Sequence, residues 1–334
     1  MTGKVQVGNR TIGDGEPAFV IAEVGSNHNQ DMEQAKALIR AAHESGADAV
    51  KFQLFSADIL YPGGGQMHDA FRAVELDRNW LPEIAEYSQK QGIIFFASPF
   101  DEPAVDRMAE VGAAAYKVAS SETTKLGLLR HMASKQKPVL ISTGMCDLAD
   151  VSEAIDAVRS EGNNDITLFQ CTALYPTEPR LSNLRGMDTL RSAFGIPTGL
   201  SDHTLGITVA IAAVARGANQ IEKTLTLSRS LPGPDHSYAL EPDEFQRMVD
   251  GIRDTEAALG SPVKGMLAEE AQLARREVLR AARDIAEGET VTHDHLVAEG
   301  PALGGIRPRL MGAIVGRTAR TAIAKGAAIT WDAV

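Results

Sequence analysis

The stretch AFVIAEVGSNHNQDMEQAKALIRAAHESGADAVKFQLF (residues 18–55) decides the fold. It opens on one short apolar run, AFVIAEV (18–24), and closes on another, DAVKFQLF (48–55). Near-continuous apolar runs, rather than alternating ones, mark strands buried on both faces, as in a parallel sheet covered by helices. Between them, MEQAKALIRAAHESG (32–46) puts Ala35, Leu38, Ile39 and Ala42 on one helical stripe and ends at Gly46.

This unit recurs along the chain. The apolar run returns as GIIFFAS (92–98), AAYKVAS (114–120), PVLIST (138–143), ITLFQC (166–171), IPTGLS (196–201) and NQIEKT (219–224). The helical pattern returns in LPEIAEYSQKQG (81–92), EPAVDRMAEVG (102–112), DVSEAIDAVRSEG (150–162) and GITVAIAAVARG (206–217). Eight such units over roughly 220 residues predict an α/β fold, a (β/α)8 TIM barrel. A doubly wound open sheet shares the alternation. Polar residues discriminate between the two, because a barrel gathers its chemistry at the C-terminal ends of all its strands. Here those ends carry Glu23, Lys51 and Gln53, Ser98, Lys117 and Ser120, Ser142, Gln170, Ser201 to His203, and Glu222 to Thr224.

Beyond the barrel, PDEFQRMVDGIRDTEAALG (242–260) reads as a closing helix and SPVKGMLAEEAQLARR (261–276) as a polar connection. RAARDIAEGETVTHDHL (280–296) then resembles RTARTAIAKGAAITWDAV (317–334) when Ile285 is set on Ile323. Gly288 then meets Gly326, Thr292 meets Thr330 and Asp294 meets Asp332, with EGPALGGIRPRLMG (299–312) as a loop between the copies. Two such copies predict a small, mostly β module with pseudo-twofold character. The expected division is a barrel over 1–262, a linker over 263–276 and the terminal module over 277–334.

Of the 334 residues, 44% are hydrophobic and 23% charged, as in ordinary soluble domains. A net charge of −11 argues against a nucleic-acid or anionic-membrane partner. No run of 18 apolar residues is present, so no membrane span is expected. MTGKVQVGNRTIGDGEP at the start lacks the apolar core of a signal peptide, and a cytoplasmic location is expected. The two cysteines, Cys146 and Cys171, are then expected as free thiols.

Lys51 and Lys117 stand inside apolar strands, where lysine is rare unless it meets an anion. Structural ion pairs with Glu23 and Glu222 would explain either one alone. Both together, with Ser98, Ser120, Ser142 and Ser201 at the same rim, point to a bound phosphate or carboxylate. His203, beside Ser201 and Asp202 at a strand end, is a candidate metal ligand or a satisfied core histidine. LPGPDHSYALEP (231–242) is a loop able to fold over the barrel mouth, bringing Asp235 and His236. Asn27 and His28 in EVGSNHNQD are candidates for fixing the first loop, and YPGGGQMHD (61–69) for a mobile one. No G-x-S-x-G elbow supports acyl transfer, and Cys171, with no His or Asn partner in view, reads as packing.

These residues, in this order and spacing, resemble the sialic acid synthase family: N-acetylneuraminate synthases and their legionaminic acid and spore-coat polysaccharide relatives. The carriers are IAEVGSNHNQD, AVKFQLF, FFASPFD, AYKVASSE, ISTGM, CTALYP, GLSDHT and PGPDHSYALEP, with GGIRP and AIAKG in the terminal module. LPGPDHSYALEP is most like the spore-coat branch. The resemblance implies a transferase that joins phosphoenolpyruvate to the aldehyde of an open-chain amino sugar, releases phosphate and makes a nonulosonic acid. It implies a divalent metal, manganese or magnesium, and a terminal antifreeze-like (SAF) domain exchanged within a homodimer. By position, Lys51, Ser98, Lys117, Ser120, Ser142 and Ser201 match phosphoenolpyruvate contacts. Gln53, Tyr175 and Asp235 match the sugar site. Glu23 matches an acidic residue near the reacting carbons, and His203 a catalytic metal ligand.

Two positions depart from the family pattern. Its second metal-binding histidine is replaced by Thr224 in Glu222-Lys223-Thr224, which leaves three outcomes: His236 substitutes from its loop, water and Asp235 complete the shell, or the metal binds weakly or not at all. Its Arg-Pro-Gly in the terminal module is Gly300-Pro301-Ala302 here, leaving Arg307 or Arg309 to reach the sugar. Two alternatives stay open: a 3-deoxy-aldulosonate synthase acting on another aldose, and a metal-deficient, non-catalytic carbohydrate-binding paralogue.

Overall fold

A computed structural model describes residues 2–271, 273, 276–302 and 304–334. Its chain opens with a hairpin of two three-residue strands, β1 (Val5–Val7) and β2 (Arg10–Ile12). The sequence reading did not include it. Val5, Val7 and Ile12 are buried, and Gly8 at the turn lies against Ile94. Ile94 begins a barrel strand, so the hairpin covers the N-terminal ends of the strands and leaves the opposite mouth for chemistry.

Eight parallel strands follow: β3 (Phe19–Gly25), β4 (Ala49–Leu54), β5 (Ile94–Pro99), β6 (Tyr116–Val118), β7 (Val139–Ser142), β8 (Ile166–Cys171), β9 (Thr198–Asp202) and β10 (Gln220–Thr224). Each pairs with the next, and β10 returns to pair with β3, from Gln220 opposite Phe19 to Thr224 opposite Glu23. The ring is closed, which removes the open-sheet alternative. Each run predicted as a strand is one, because its side chains meet the core on both sides.

Helices wrap the ring. In chain order they are α1 (Met32–Glu44), the short α2 (Ala57–Leu60) and α3 (Gln66–Arg72), α4 (Leu81–Gln91), α5 (Glu102–Glu110), α6 (Leu126–Ser134), α7 (Leu148–Arg159), α8 (Gly186–Phe194), α9 (Thr208–Ala215) and α10 (Pro242–Leu259). The Asp31 carboxylate caps α1 by accepting from the Glu33 and Gln34 N–H groups, and Ala35, Leu38, Ile39 and Ala42 are its buried stripe. The segment expected as a mobile loop over 61–69 is corrected: its second half starts α3, whose Phe71 packs edge-on against Phe55 at 5.2 Å and against Tyr61 at 5.1 Å. The three glycines hid a helix that is held by aromatic contacts.

At one point the closure leaves no room for a side chain. A Cβ on Gly199 in β9 would overlap the Gln220 carbonyl oxygen and Cγ, with the Gln220 carbonyl carbon at 2.8 Å. Gln220 cannot yield, since its amide is buried and donates to Thr167 and to the Leu168 carbonyl. Gly199→Ala is therefore expected to cost about 3 kcal/mol or more, beyond ordinary overpacking. A lowered urea midpoint, or an insoluble product, checks this. An unchanged midpoint would mean that β9 and β10 separate freely.

By contacts, the chain divides into two units between Gly260 and Ser261, two residues before the expected edge at 262. The expected linker, 263–276, holds one helical turn, Ala268–Ala271; its residues 272, 274 and 275 lie outside the described ones. In the second unit, β11 (Arg276–Ala281) and β12 (Leu296–Ala302) pair antiparallel. The expected loop over 299–312 is corrected at its start, which belongs to β12.

The internal repeat is physical. Ile285 and Ile323 exchange backbone hydrogen bonds with each other at 2.9 Å. The Gly288 N–H donates to Ala319 O, and its counterpart Gly326 donates to Ala281 O, the counterpart of Ala319. Val291 to Arg317 and Ile329 to Leu279 form a second exchanged pair, each 2.8 Å. Such reciprocity is what a pseudo-twofold axis requires. Around it Leu279, Ile285, Val291, Ile323 and Ile329 form a separate core.

Candidate active site

A cavity of about 720 Å³ opens at the C-terminal ends of the barrel strands. All the expected site residues line it except Ser98 and His236. Because side chains alternate along a strand, Lys51 and Gln53, and likewise Glu222 and Thr224, point inward together. Lys223 between the latter points outward, where its ammonium is buried against Asp202 at 2.7 Å.

Lys51 Nζ lies 3.1 Å from Glu23 Oε2 and 3.2 Å from Glu222 Oε1, and donates to Ser98 Oγ at 3.2 Å. Ser98 thus sits beneath the ammonium rather than in the cavity. Lys117 Nζ donates to Ser142 Oγ at 2.5 Å and to Val118 O at 3.1 Å, faces the Phe169 ring, and reaches Glu222 Oε2 only at 3.9 Å. Ser201 Oγ donates to Glu222 Oε1 at 3.2 Å, and Gln53 Nε2 to Glu23 Oε1 at 2.7 Å. Ser120 Oγ accepts from the Gly144 N–H. The ion-pair reading and the anion-site reading of the lysines therefore meet in one cluster.

Its charges do not cancel evenly. Burial pushes the Glu23 carboxyl up, against the Lys51 charge and with the Glu222 charge adding to the rise. Burial also opposes ionisation of Glu222, but the Lys117 and Lys51 ammonium groups override it and hold its carboxyl below the usual range. Burial brings Lys117 down to about 8, partly offset by Glu222. Two ammonium groups thus face one carboxylate held below its usual range and one pushed above it, a cavity floor with cation to spare for an anion. Glu222 Oε2 is buried without a hydrogen-bond partner.

The other wall carries Asp235, Tyr175 and His203. Asp235 Oδ2 accepts from the Ser26 N–H at 2.9 Å and Ser26 Oγ at 2.7 Å, and Oδ1 accepts from Tyr238 Oη at 2.8 Å. Ser26 and Tyr238 were not among the expected site residues, though each lies within a quoted motif, IAEVGSNHNQD and LPGPDHSYALEP. A Cβ on Gly25 would come within 2.7 Å of Asp235 Oδ2, and its φ of 57° also favours glycine. The Tyr175 ring stacks on that of His203, with centroids 4.3 Å apart. Across the cavity, α2 and α3 supply Leu60, Met67 and Phe71, an apolar side that the sequence reading missed.

His203 Nδ1 is 3.0 Å from the Thr172 carbonyl oxygen. A carbonyl only accepts, so Nδ1 carries the proton. The neighbouring Cys171 thiol accepts from Ser120 Oγ at 3.5 Å. Cys171 is a buried free thiol at the end of β8. Burial lowers His28 to about 4; its Nδ1 accepts from the Gln30 N–H, while Asn27 Nδ2 donates to Leu225 O. Both residues fix the first loop.

The donor set does not fit the two-histidine metal centre that the family pattern implies. Thr224 offers a hydroxyl at the end of β10. His236 is not brought to the cavity: its Nδ1 faces Thr226 Oγ1 at 2.7 Å and its Nε2 faces Asn29 Oδ1 at 3.2 Å. This corrects the expectation that His236 supplies the second ligand. Glu222 faces two ammonium groups, which repel a cation. Among the described residues no three His, Cys, Asp or Glu side chains converge to hold a metal. Arg307 sits as the N-cap residue of the short turn Pro308–Leu310 in the second unit.

The geometry can be set beside known proteins. Over 97% of both chains, the sequence is 38% identical to the N,N'-diacetyllegionaminic acid synthase of Legionella pneumophila. The crystal structure of the spore coat polysaccharide biosynthesis protein SpsE from Bacillus subtilis superposes with a TM-score of 0.71 over 99% of both chains, at 35% identity. The N-acetylneuraminic acid synthetase of Leptospira borgpetersenii, solved with citrate, gives a TM-score of 0.78 over 82% of this chain and 95% of its own, at 31% identity. Residues 38–264 match the NeuB family and residues 276–334 the SAF domain. With the closed ring, the rim residues and the twofold terminal unit in place, the chain belongs to the NeuB family and carries a C-terminal SAF domain.

Proposed function

We propose that this chain condenses phosphoenolpyruvate with the open-chain aldehyde of an amino sugar, forming a nonulosonic acid and releasing inorganic phosphate. The observation that carries the reading is the pair of buried ammonium groups, Lys51 and Lys117, set among hydroxyls at one barrel mouth. Its support from relatives is the set of legionaminic, pseudaminic and N-acetylneuraminate-9-phosphate synthases to which the chain is similar.

The lysines and the Ser120, Ser142 and Ser201 hydroxyls hold the phosphate and carboxylate of the donor. Gln53, Tyr175 and Asp235 orient the sugar from the other wall. Carbon 3 of the donor attacks the aldehyde carbon, and the carbonyl π pair moves to oxygen. Water adds at carbon 2, and the proton it sheds is the one the new alkoxide gains. The carbon 2–oxygen bond to phosphate then breaks as the hydroxyl at carbon 2 passes its proton to the departing phosphate, leaving the keto acid. Glu23 stands within the cluster to carry the proton that water sheds, and burial raises its carboxyl in the direction that the task favours.

The test is phosphate release from phosphoenolpyruvate with a panel of unphosphorylated and phosphorylated aldoses and amino sugars, with and without added metal. Release dependent on an unphosphorylated amino sugar is expected. Preference for a phosphorylated aldose would favour the 3-deoxy-aldulosonate alternative, and silence across the panel the non-catalytic one.

Lys117 sets a pH dependence. Its ammonium is lost as pH rises through about 8, so the KM for phosphoenolpyruvate is expected to climb above that point. Stability moves the other way. Between about 8 and the ordinary lysine value the unfolded chain binds more protons, so folding gains as pH rises. Weakened binding without unfolding separates this titration from general alkaline damage, and a KM flat to pH 10 would contradict it.

A further inference from the structure

The metal centre that the family pattern implies at the ends of β9 and β10 takes two imidazoles, and this chain presents one. His203 has its Nδ1 proton engaged by the Thr172 carbonyl. Thr224 lines the cavity, one inward position beyond Glu222. His236, the remaining imidazole nearby in sequence, spends both nitrogens on Thr226 and Asn29. Lys51 and Lys117 lie on either side of Glu222, so the nearest carboxylate is already balanced by cations.

We propose that this condensing centre works without a bound divalent metal, and that the Thr224 hydroxyl donates to the acceptor's carbonyl oxygen where a metal would otherwise sit. The inference rests on the condensation proposed above. A threonine hydroxyl is a poor ligand for manganese, which prefers carboxylate or imidazole. It is a competent donor to an oxygen that gains charge as the carbon–carbon bond forms. The Lys51 and Lys117 ammonium groups make the same floor hostile to a second cation centre and friendly to the anionic donor.

Two measurements on the full chain decide it. The first is binding alone: manganese titrated against the protein, followed by its electron spin resonance, together with the metal content of the purified protein. No saturable site up to about 1 mM is expected, and only substoichiometric metal. In Thr224→His, which restores two imidazoles, a site at least about tenfold tighter is expected. The second is phosphate release after exhaustive chelation. Undiminished turnover is expected, while Thr224→Val lowers kcat/KM for the acceptor about tenfold and leaves the KM for phosphoenolpyruvate unchanged.

A saturable site in the wild type, or turnover abolished by chelation and restored by manganese, overturns the proposal. So does full acceptor efficiency in Thr224→Val. If Thr224→His folds and still binds no manganese, Thr224 is not what closes the site to metal, and the assignment fails. Should Thr224→His not fold, the wild-type titration and Thr224→Val carry the test. If no acceptor yields phosphate under any condition, the proposed condensation fails, while the manganese titration still reports whether a metal sits there.

Discussion

Lys51→Met is expected to lower phosphate release by about 10²–10³-fold, and to lower stability at the same time. The rate effect follows from removing a preorganised cationic donor at the phosphate, where loss of one such group costs about 10²–10³. The stability effect follows from what is left behind. Lys51 is the ammonium that touches both Glu23 and Glu222, and both carboxylates are buried. Breaking a buried pair by deleting one partner costs about 3–5 kcal/mol, less whatever Glu23 recovers by taking up a proton. The two effects separate in a second variant. Lys51→Met with Glu222→Gln restores the charge balance, so its thermal midpoint is expected to return toward the wild type while phosphate release does not. If activity returned together with stability, Lys51 would be a structural counter-ion and not a donor contact.

Glu23→Gln is expected to lower kcat by about 10²–10⁴, the range for loss of a positioned acid–base group. The change is isosteric. The amide oxygen can still accept from Gln53 Nε2, as Glu23 Oε1 does at 2.7 Å, and Lys51 keeps Glu222 as a partner. The KM for phosphoenolpyruvate is therefore expected to stay close to the wild-type value, and the acidic limb of the kcat profile to disappear. That limb exists because a carboxyl raised by burial and by the Glu222 charge must lose its proton before it can accept one. Unchanged kcat with a raised KM would instead make Glu23 a positioning residue for the donor.

The barrel was legible because strands buried on both faces cannot hide. Each shows as an unbroken apolar run, and lysine or glutamate inside such a run signals a purpose. The repeat in the terminal unit was legible for a related reason: Ile285 and Ile323, and Gly288 and Gly326, hold equivalent places about one axis. What escaped was set by contacts distant in sequence. The hairpin of β1 and β2 is too short for any periodicity. The helix α3 begins directly after three glycines, which by local chemistry announce a loop, and Phe55 and Tyr61 hold it in place. Asp235 and His236 are neighbours in the chain and look like a pair of ligands. In space they diverge, Asp235 to Ser26 and the cavity, His236 to Thr226 and Asn29. Thr224 was visible in the sequence, but its consequence needed the positions of both histidines.

Calorimetric titration of the protein with phosphoenolpyruvate, in the absence of any sugar, tests the cationic floor most directly. Saturable, exothermic binding is expected, with pyruvate at least about tenfold weaker and with binding lost in the charge-balanced variant Lys117→Met with Glu222→Gln. A titration with no saturable phase, or one in which that variant binds as the wild type does, would contradict it.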